Sequence, residues 1–148
     1  MNCTIDRNVV KDTFSRVATT LHEQLIRRTG GRLGAQMFKR PMILLTTTGR
    51  VSGKPRVTPL LCHPDGDRYL VIGSNGGDDR DPQWVQNLKA NPEASIELAG
   101  DTIPVRATIA TPEEKKALWP KATAAYKGYD NYQRRTTRDI PVVILTRR

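Results

Sequence analysis

The chain has 148 residues and carries 24 Lys and Arg against 15 Asp and Glu, which gives a formal net charge of +9 at pH 7. This length suits one domain, and the charge favours an anionic partner such as a phosphorylated small molecule, nucleic acid or a membrane surface. Only 5% of the residues are aromatic, which disfavours nucleic acid because single-stranded bases are usually held on aromatic side chains.

Cysteine and histidine usage argues against a disulfide framework, a zinc site and a hydrolase triad. Cys3 and Cys62 lie far apart and form no metal-ligand spacing, and no nucleophile motif accompanies His22 or His63. We expect both histidines to be structural or exposed, and we expect no metal. No apolar run approaches the about 18 residues that span a bilayer, and no signal-peptide pattern is present, so we expect a cytoplasmic protein.

The first predicted element is an amphipathic helix at residues 8–28, ended by Gly30 and Gly31. Apolar side chains recur in it at spacings of three or four: Val10, Phe14, Val17, Leu21 and Leu25. Such a stripe usually packs on its own domain, and the alternative is that this basic helix lies on a membrane surface as a peripheral contact.

Strands dominate the middle of the chain. Apolar segments bounded by turn residues predict six strands, at 41–48, 56–63, 68–74, 94–98, 102–110 and 140–146. Two pairs of them flank the turn sequences "PDGD" and "AGD" and read as hairpins. These features predict a mainly β fold with helices (α+β): a single domain, residues 1–148, in which a helical segment 1–32 precedes a six-stranded antiparallel barrel, residues 33–148.

Three further helices are predicted between the strands. Asp81 as N-cap and Pro82 as the first helical residue begin one that stops before the "NP" at 91–92. A capping box at Thr111 begins the next, which runs to about residue 126 and is expected to be kinked or divided at Pro120. The third is "YDNYQRRTTRD", residues 129–139.

The stretch "LLTTTGRVSGKPRVTPL", residues 44–60, predicts an anion site. Its loop carries Arg50, Lys54 and Arg56, and in an antiparallel barrel it can lie at the same end as the glycine-rich loop "SNGGDDRDP", residues 74–82. Backbone N–H groups around Gly76 and Gly77, with the following helix N-terminus, would complete a cradle for phosphate or carboxylate groups. The alternative is an ordinary solvated turn.

Three acidic residues lie beside this predicted anion site and would weaken it if they faced the ligand. We expect Asp81 to cap its helix, and Asp78 and Asp79 to point into solvent.

Tyrosines form a second group near the C-terminus, at Tyr126, Tyr129 and Tyr132. Their spacing of three puts them on one face if the segment is helical. They could be core residues, or they could wall a pocket for a flat apolar molecule and donate protons to it. Spacing does not distinguish these two roles.

Taken together, the strings "LLTTTGRVSGKPRVTPL", "IGSNGGDDRDPQWVQNLKANP" and "YKGYDNYQRRTTRDIPVVIL" resemble the deazaflavin-dependent nitroreductase family of actinobacteria. The resemblance covers about residues 33–146 and implies a split β-barrel, similar to flavin-binding oxidoreductases, that uses coenzyme F420, an 8-hydroxy-5-deazaflavin.

Site residues follow from the resemblance. The positions implied on the phosphate and tail side of the coenzyme are Arg50, Val51, Ser52, Arg56, Val57 and Thr58, with Lys54 nearby. Those implied along the deazaflavin are Ile72, Gly73, Ser74, Asn75, Gln83, Trp84 and Asn87. The implied substrate side and catalytic positions are Tyr126, Tyr129 and Tyr132, with Tyr129 also touching the coenzyme and Ser74 orienting coenzyme or acceptor. Family members often carry Lys where this chain has Val51 and Asn75, which predicts altered contacts to the anionic tail.

The hypothesis is therefore hydride transfer from reduced F420 to a flat electron-poor acceptor: a quinone, an activated enone or lactone, or a nitroaromatic compound. The protein would act as a monomer or homodimer on this small-molecule acceptor, without nucleic acid. One alternative is a related split barrel that binds FMN or haem. Another is a non-catalytic basic module for nucleic acid or an anionic membrane.

Overall fold

The computed structural model describes residues 41–148, so the predicted helix at 8–28 lies outside the described residues. The described chain contains seven strands, three α-helices and one short 3₁₀ turn. In chain order they are β1 Met42–Thr48, β2 Pro55–Leu61, β3 His63–Asp65, β4 Arg68–Ile72, the 3₁₀ turn Asn75–Gly77, α1 Gln83–Ala90, β5 Glu93–Leu98, β6 Asp101–Ile109, α2 Pro112–Ala125, α3 Gly128–Arg135 and β7 Val142–Arg147.

All strands form one antiparallel sheet with the order β2-β1-β5-β6-β7-β4-β3. β2 and β3 lie at opposite ends of this order, although only Cys62 separates them in the chain. The sheet must therefore curl until its two ends meet at Cys62, whose backbone N–H donates to the carbonyl of Pro41 at 2.9 Å. The mainly β antiparallel architecture with helices is confirmed.

The prediction of six strands is wrong, because the segment 56–63 is divided. Its first part is β2, which pairs with β1 from Pro55 to Leu61, and only the residues from His63 onward pair with β4 across the "PDGD" turn. Cys62 and His63 are adjacent and both buried, at 1% and 6% exposure. Successive residues of a strand face opposite sides of the sheet. Both sides are therefore covered at Cys62 and His63, where the chain bends from its pairing with β1 to its pairing with β4. Pro59 is tolerated because β2 is an edge strand of this order.

Apolar side chains form two clusters on the two sides of the sheet. The cluster inside the curl combines strand residues with Trp84, Val85 and Leu88 of α1. The outer cluster packs β4 and β7 against α2 and α3, through Leu118 and Tyr129 among others. Because both faces of β4 and β7 are covered, their sequences "RYLVI" and "VVIL" are almost continuously apolar.

Predicted helix starts agree with the structure in one case and differ in another. Thr111 and Glu114 form the predicted capping box of α2, with Glu114 N–H donating to Thr111 Oγ1 at 3.2 Å and Thr111 N–H donating to Glu114 Oε1 at 3.1 Å. Pro120 does not divide α2, which continues to Ala125. The third predicted helix ends at Arg135 rather than at residue 139.

The N-cap of α1 is Pro82, so the prediction that Asp81 caps this helix is wrong. The Asp81 carboxylate instead accepts from Lys89 Nζ at 2.8 Å and from Arg138 Nη1 at 2.9 Å. These two charged donors compete with the helix N–H groups for the same oxygens, and an ion pair with good geometry is the stronger interaction.

Thiol chemistry tests the junction at Cys62. Burial raises the pKa of the Cys62 thiol to about 12, because the thiolate would lose its hydration. In a Cys3→Ser variant, we expect a disulfide reagent at pH 8 to label Cys62 only as fast as the sheet opens, and to label it at once in guanidinium chloride. Rapid complete labelling of the folded variant would contradict a closed junction.

The same pKa predicts how the free energy of unfolding depends on pH. An unfolded chain loses the thiol proton near its ordinary pKa of about 8.5, whereas the folded chain keeps it until about pH 12. The contribution of Cys62 is therefore fully present below pH about 8.5 and is lost as the pH rises toward the folded value. Denaturant titrations between pH 8 and pH 10 test this. The free energy of unfolding of Cys3→Ser should fall with rising pH relative to that of Cys3→Ser/Cys62→Ala.

Candidate functional site

The loops that follow β1 and β4 lie at the same end of the sheet, as predicted. Successive antiparallel pairings connect β1 to β5, β5 to β6, β6 to β7 and β7 to β4, so β1 and β4 run in the same direction. Their carboxyl ends, Thr48 and Ile72, therefore emerge together. The candidate site is built from these two loops, α1 and the tyrosines of the C-terminal half.

The β1–β2 loop is a tight turn. Gly49 N–H donates to Lys54 carbonyl at 2.8 Å, and Gly53, with a φ of 69°, donates back to Gly49 carbonyl at 2.8 Å. A Cβ on Gly49 would lie 2.7 Å from Ser52 Oγ, so no larger residue fits there without a shift. The turn leaves the neighbouring arginine and lysine side chains exposed.

Arg50 joins this loop to α1. Its Nη1 donates to Gln83 Oε1 at 2.8 Å and to Asn87 Oδ1 at 3.1 Å, and its backbone N–H donates to the same Asn87 oxygen at 3.2 Å. Asn87 is buried, and its Nδ2 donates to Thr47 Oγ1 at 3.2 Å. Three of the residues predicted for the coenzyme site are thus in direct contact.

Arg50, Lys54 and Arg56 form a cationic surface that we call the basic loop. Arg56 Nη2 donates to Ser52 Oγ at 3.4 Å. Within residues 41–148, none of the ion pairs involves these three cations. Val51 beside them is 92% exposed, and the predicted Val57 and Thr58 are half-buried on β2. This donor set suits a phosphate or carboxylate ligand.

The second loop, residues 73–81, leaves β4 through a position that admits only glycine. A Cβ on Gly73 would lie 2.7 Å from Pro141 Cγ and 2.9 Å from Val85 Cγ2. Ser74 follows, half-buried, and Asn75 is exposed with its Nδ2 donating to Arg80 carbonyl at 3.0 Å.

The predicted cradle of backbone N–H groups in this loop is wrong for two of its donors. Gly77 N–H donates to Ser74 carbonyl at 2.8 Å and Asp78 N–H to Asn75 carbonyl at 3.1 Å, so both close the turn itself. The predicted positive φ is present, at 64° for Gly76 and 84° for Gly77. The glycines therefore shape the turn, and the positive charge of the site comes from the basic loop.

The acidic residues of the second loop all have hydrogen-bond or ion-pair partners. Asp78 accepts from Arg80 N–H at 2.9 Å, and this hydrogen bond holds the pKa of Asp78 below its ordinary value. Asp78 and Asp79 are both exposed, as predicted, and Asp79 Oδ1 in addition accepts from Thr136 Oγ1 at 2.9 Å. With Asp81 paired to Lys89 and Arg138, the carboxylates are held by groups other than the basic loop.

The three tyrosines meet, but not on one helix face as predicted. Tyr126 is the C-cap of α2, while Tyr129 and Tyr132 belong to α3. The Tyr126 ring lies against Gly128, where a Cβ would be 2.5 Å from Tyr126 Cζ, so this glycine permits the change of direction. The Tyr126 and Tyr129 rings are 5.0 Å apart edge to face, and the Tyr126 and Tyr132 hydroxyls are 3.1 Å apart.

The tyrosines differ in exposure and in hydrogen bonding. Tyr126 and Tyr132 are half-buried. The hydrogen bond between their hydroxyls, followed by burial, raises the pKa of Tyr132, and the charge of Arg135 opposes this shift. Tyr129 is 4% exposed, and its hydroxyl lies 3.0 Å from Nε2 of the buried His63. Tyr126 and Tyr132 are therefore partly accessible side chains whose hydroxyls form a pair, while Tyr129 connects α3 to the sheet.

Two other predicted site residues are placed in the apolar clusters. Trp84 is 5% exposed inside the curl of the sheet, and Ile72 is 6% exposed beneath α2 and α3. Their side chains support the loop and helix from below rather than forming an open wall.

Sequence reasoning missed Arg138, whose guanidinium contacts both ends of the second loop. In "YQRRTTRDIP" it looks like one more cation on a solvated helix. The signal that could have separated it is the pair Thr136 and Thr137, since β-branched residues end the helix and place the next side chain on an extended segment.

Two kinds of feature are absent from the part of the chain that the structure describes. Residues 41–148 contain no group of three or more His, Cys, Asp or Glu that could hold a metal ion. No helix in the same range is long and apolar enough to cross a membrane.

Comparison with known proteins gives one consistent family. A family model described as F420H(2)-dependent quinone reductase matches residues 18–147. An F420H(2)-dependent quinone reductase of Mycobacterium tuberculosis is 42% identical over 132 residues, which cover 86% of this chain and 89% of that protein.

Solved structures agree with the sequence comparison. The structure of an F420-H2 dependent reductase, FDR-A, matches with a TM-score of 0.66 and 40% identity over 72% of this chain and 94% of that chain. A second structure, described as a domain-swapped dimer, matches with a TM-score of 0.68 and 34% identity over 93% of this chain and 97% of that chain.

The hydroxyl pair can be tested by titration. Replacing Tyr126 with Phe removes the largest cause of the raised Tyr132 pKa, so we expect Tyr132 to ionise at a lower pH. The ultraviolet absorbance of tyrosinate measures this midpoint when the curve of the double variant Tyr126→Phe/Tyr132→Phe is subtracted from that of Tyr126→Phe. Tyr69→Phe is the control, because Tyr69 contacts Arg147 elsewhere on the sheet. An unchanged Tyr132 midpoint in Tyr126→Phe would contradict the hydrogen bond.

Proposed function

We propose that this chain, which belongs to the F420H(2)-dependent quinone reductase family, reduces a small flat quinone bound beside Tyr126 and Tyr132. As a member it is a deazaflavin-dependent oxidoreductase whose cofactor is reduced coenzyme F420. Within the structure, the observation that carries the proposal is the basic loop, whose cations have no carboxylate partner in residues 41–148 and which contacts α1 through Arg50.

The chemistry of the donor set fits this coenzyme. A deazaflavin with a phosphate and a glutamyl tail is anionic, and three exposed cations that have no acidic partner among residues 41–148 provide the complementary charge. Because Val51 and Asn75 carry no charge, the tail contacts would rest on Arg50, Lys54 and Arg56. Ser52, Val57 and Thr58 would line the same side.

Residues of the second loop and α1 would hold the deazaflavin ring. When bound, the reduced coenzyme supplies the hydride for quinone reduction. Ser74 is half-buried at the end of β4, next to Gly73, which has no side chain. The Ser74 hydroxyl would orient the ring or the acceptor there. Asn75 and Gln83 would line its edges. The buried Ile72, Trp84 and Asn87 would fix the positions of these groups from beneath.

The tyrosines would form the acceptor side. A quinone that accepts a hydride needs one proton to become a quinol, and we assign this proton to the Tyr126–Tyr132 hydroxyl pair. Tyr132 is protonated near neutral pH with or without its raised pKa, and the raised pKa makes it a weaker acid, so its hydroxyl would serve first as a hydrogen-bond donor and would release the proton only as negative charge develops on the quinone oxygen. Tyr129, whose hydroxyl lies against His63, would keep both rings in place.

Coenzyme binding is the first test. Fluorescence titration should show saturable binding of F420 that weakens with salt, and little binding of FMN in a parallel titration. Arg50→Gln, Lys54→Gln and Arg56→Gln should each weaken F420 binding about threefold to tenfold at low salt and reduce its salt dependence. Lys116→Gln is the matched control, since it removes the same charge from the exposed face of α2.

The outcomes separate the candidate classes. Preference for FMN would move the chain to flavin-binding proteins of similar fold, and binding of neither would overturn the proposed function. Binding could also be salt-sensitive but weakened equally by Lys116→Gln and Arg56→Gln. That result would show that total charge, rather than the basic loop, attracts the coenzyme.

Acceptor reduction is the second test. Tyr132→Phe should lower kcat/KM for a soluble naphthoquinone by about tenfold or more while leaving F420 affinity unchanged. Tyr69→Phe should retain the parent value. Parallel assays with an activated enone, a lactone and a nitroaromatic compound rank the acceptor classes. Unaltered quinone kinetics in both Tyr126→Phe and Tyr132→Phe would remove the hydroxyl pair from the mechanism.

A further inference from the structure

One partly buried arginine spans the second loop without belonging to any proposed ligand contact. The Arg138 side chain is 14% exposed and extends from the segment between α3 and β7. Its Nη2 donates to the carbonyls of Gly73 at 3.1 Å and Ser74 at 2.8 Å. Its Nε donates to Asp78 carbonyl at 2.8 Å, and its Nη1 donates to Asp81 Oδ1 at 2.9 Å. The guanidinium thus joins the first and last residues of loop 73–81.

This arrangement requires arginine rather than any cation. A buried charge is costly unless it is neutralised and its donors are satisfied. Asp81 supplies the opposite charge, and the loop carbonyls accept three of the other four N–H groups. A planar guanidinium presents these donors at fixed angles, whereas a lysine ammonium is a single point that cannot reach Ser74, Asp78 and Asp81 together. The loop conformation is therefore defined at both ends by one side chain.

The backbone of Arg138 is in turn held to α3. Gln133 Nε2 donates to Arg138 carbonyl at 2.8 Å, and Gln133 Oε1 accepts from Ile140 N–H at 3.0 Å. Thr136 Oγ1 accepts from Arg138 N–H at 3.3 Å and donates to Asp79. Loop 73–81 is consequently positioned relative to the helix that carries Tyr132.

The same contacts neutralise an acidic residue beside the proposed anion site. Asp81 is shared between Arg138 Nη1 at 2.9 Å and Lys89 Nζ at 2.8 Å. Without Arg138, one of its two cationic partners is lost and the loop ends are no longer joined. Both changes disfavour an anionic ligand at this loop.

We propose that Arg138 is a positioning residue that holds loop 73–81 in the conformation that receives the deazaflavin coenzyme and aligns it with Tyr132. The ligand in this inference rests on the proposed function. The other part of the inference, that Arg138 orders the loop, is argued only from its contacts in the structure. It can be tested in the protein without ligand.

The experiment compares the full chain with Arg138→Met, Arg138→Lys and Asp81→Asn. Arg106→Met is the matched control, because Arg106 forms an exposed ion pair at 2.6 Å with Glu93, its cross-strand neighbour between β5 and β6. Amide hydrogen exchange is measured for the peptide covering residues 73–81 without ligand. F420 affinity is measured by fluorescence, and KM for F420H2 and for the quinone are measured separately.

Arg138→Met should speed exchange of the 73–81 peptide while peptides of β1 and β5 keep the parent rate. It should also weaken F420 binding by about 10- to 100-fold, because the loop must be ordered on binding. Arg138→Lys should be intermediate in both, and it should raise KM for F420H2 with little change in KM for the quinone. Asp81→Asn should weaken F420 binding less than Arg138→Met, and Arg106→Met should match the parent.

Several results would overturn the inference. Parent-like exchange of the 73–81 peptide in Arg138→Met would show that the loop is ordered without the guanidinium. Parent-like F420 affinity with faster exchange would show that loop order does not matter for binding. If Arg138→Met fails to fold, Arg138→Lys decides by the same two readouts. A parent protein that does not bind F420 overturns the proposed function, and the exchange measurement then still decides whether Arg138 orders the loop.

Discussion

The geometry of the molecule depends on the closure of its sheet at Cys62. With a single residue between the two terminal strands, the sheet curls and α1 fills its interior. The pairing order makes β1 and β4 run in the same direction, so their loops emerge at one end. Arg50 can then reach Gln83 and Asn87 on α1, which are far from it in sequence. The candidate site is thus a consequence of strand order and closure.

Charge at this end is divided between the two loops. The carboxylates of Asp78, Asp79 and Asp81 are held by hydrogen bonds or ion pairs with groups other than the basic loop. The cations of the basic loop have no such partners within residues 41–148. A chain with many acidic and basic residues in neighbouring loops can therefore still present one sign of charge to a ligand, because pairing rather than composition determines the local potential.

The sequence predicted what depends on neighbouring residues and failed where distant residues compete. The capping box of α2 was predictable because Thr111 and Glu114 satisfy each other locally. Asp81 was misassigned because Arg138, 57 positions away, takes its carboxylate. The strand 56–63 gave no sign of division, since its apolar character continues through the bend at Cys62. The basic loop and the tyrosines could be found from composition and spacing. The two threonines before Arg138 mark the helix end, but its contacts could not be predicted, because its partners are mostly backbone carbonyls.

The segment from α3 to β7 contributes to both proposed parts of the site, the acceptor side and the coenzyme side. It carries Tyr132, proposed for the acceptor, and through Gln133 and Arg138 it holds the loop proposed for the coenzyme. Hydride transfer is sensitive to the distance between donor and acceptor, so a common support for both sides is a physical advantage. A substitution on α3 that alters acceptor preference would therefore also shift loop 73–81 if it moved the helix. Acceptor specificity and coenzyme affinity are expected to vary together at positions that displace α3, and independently at positions such as Arg56 on the basic loop.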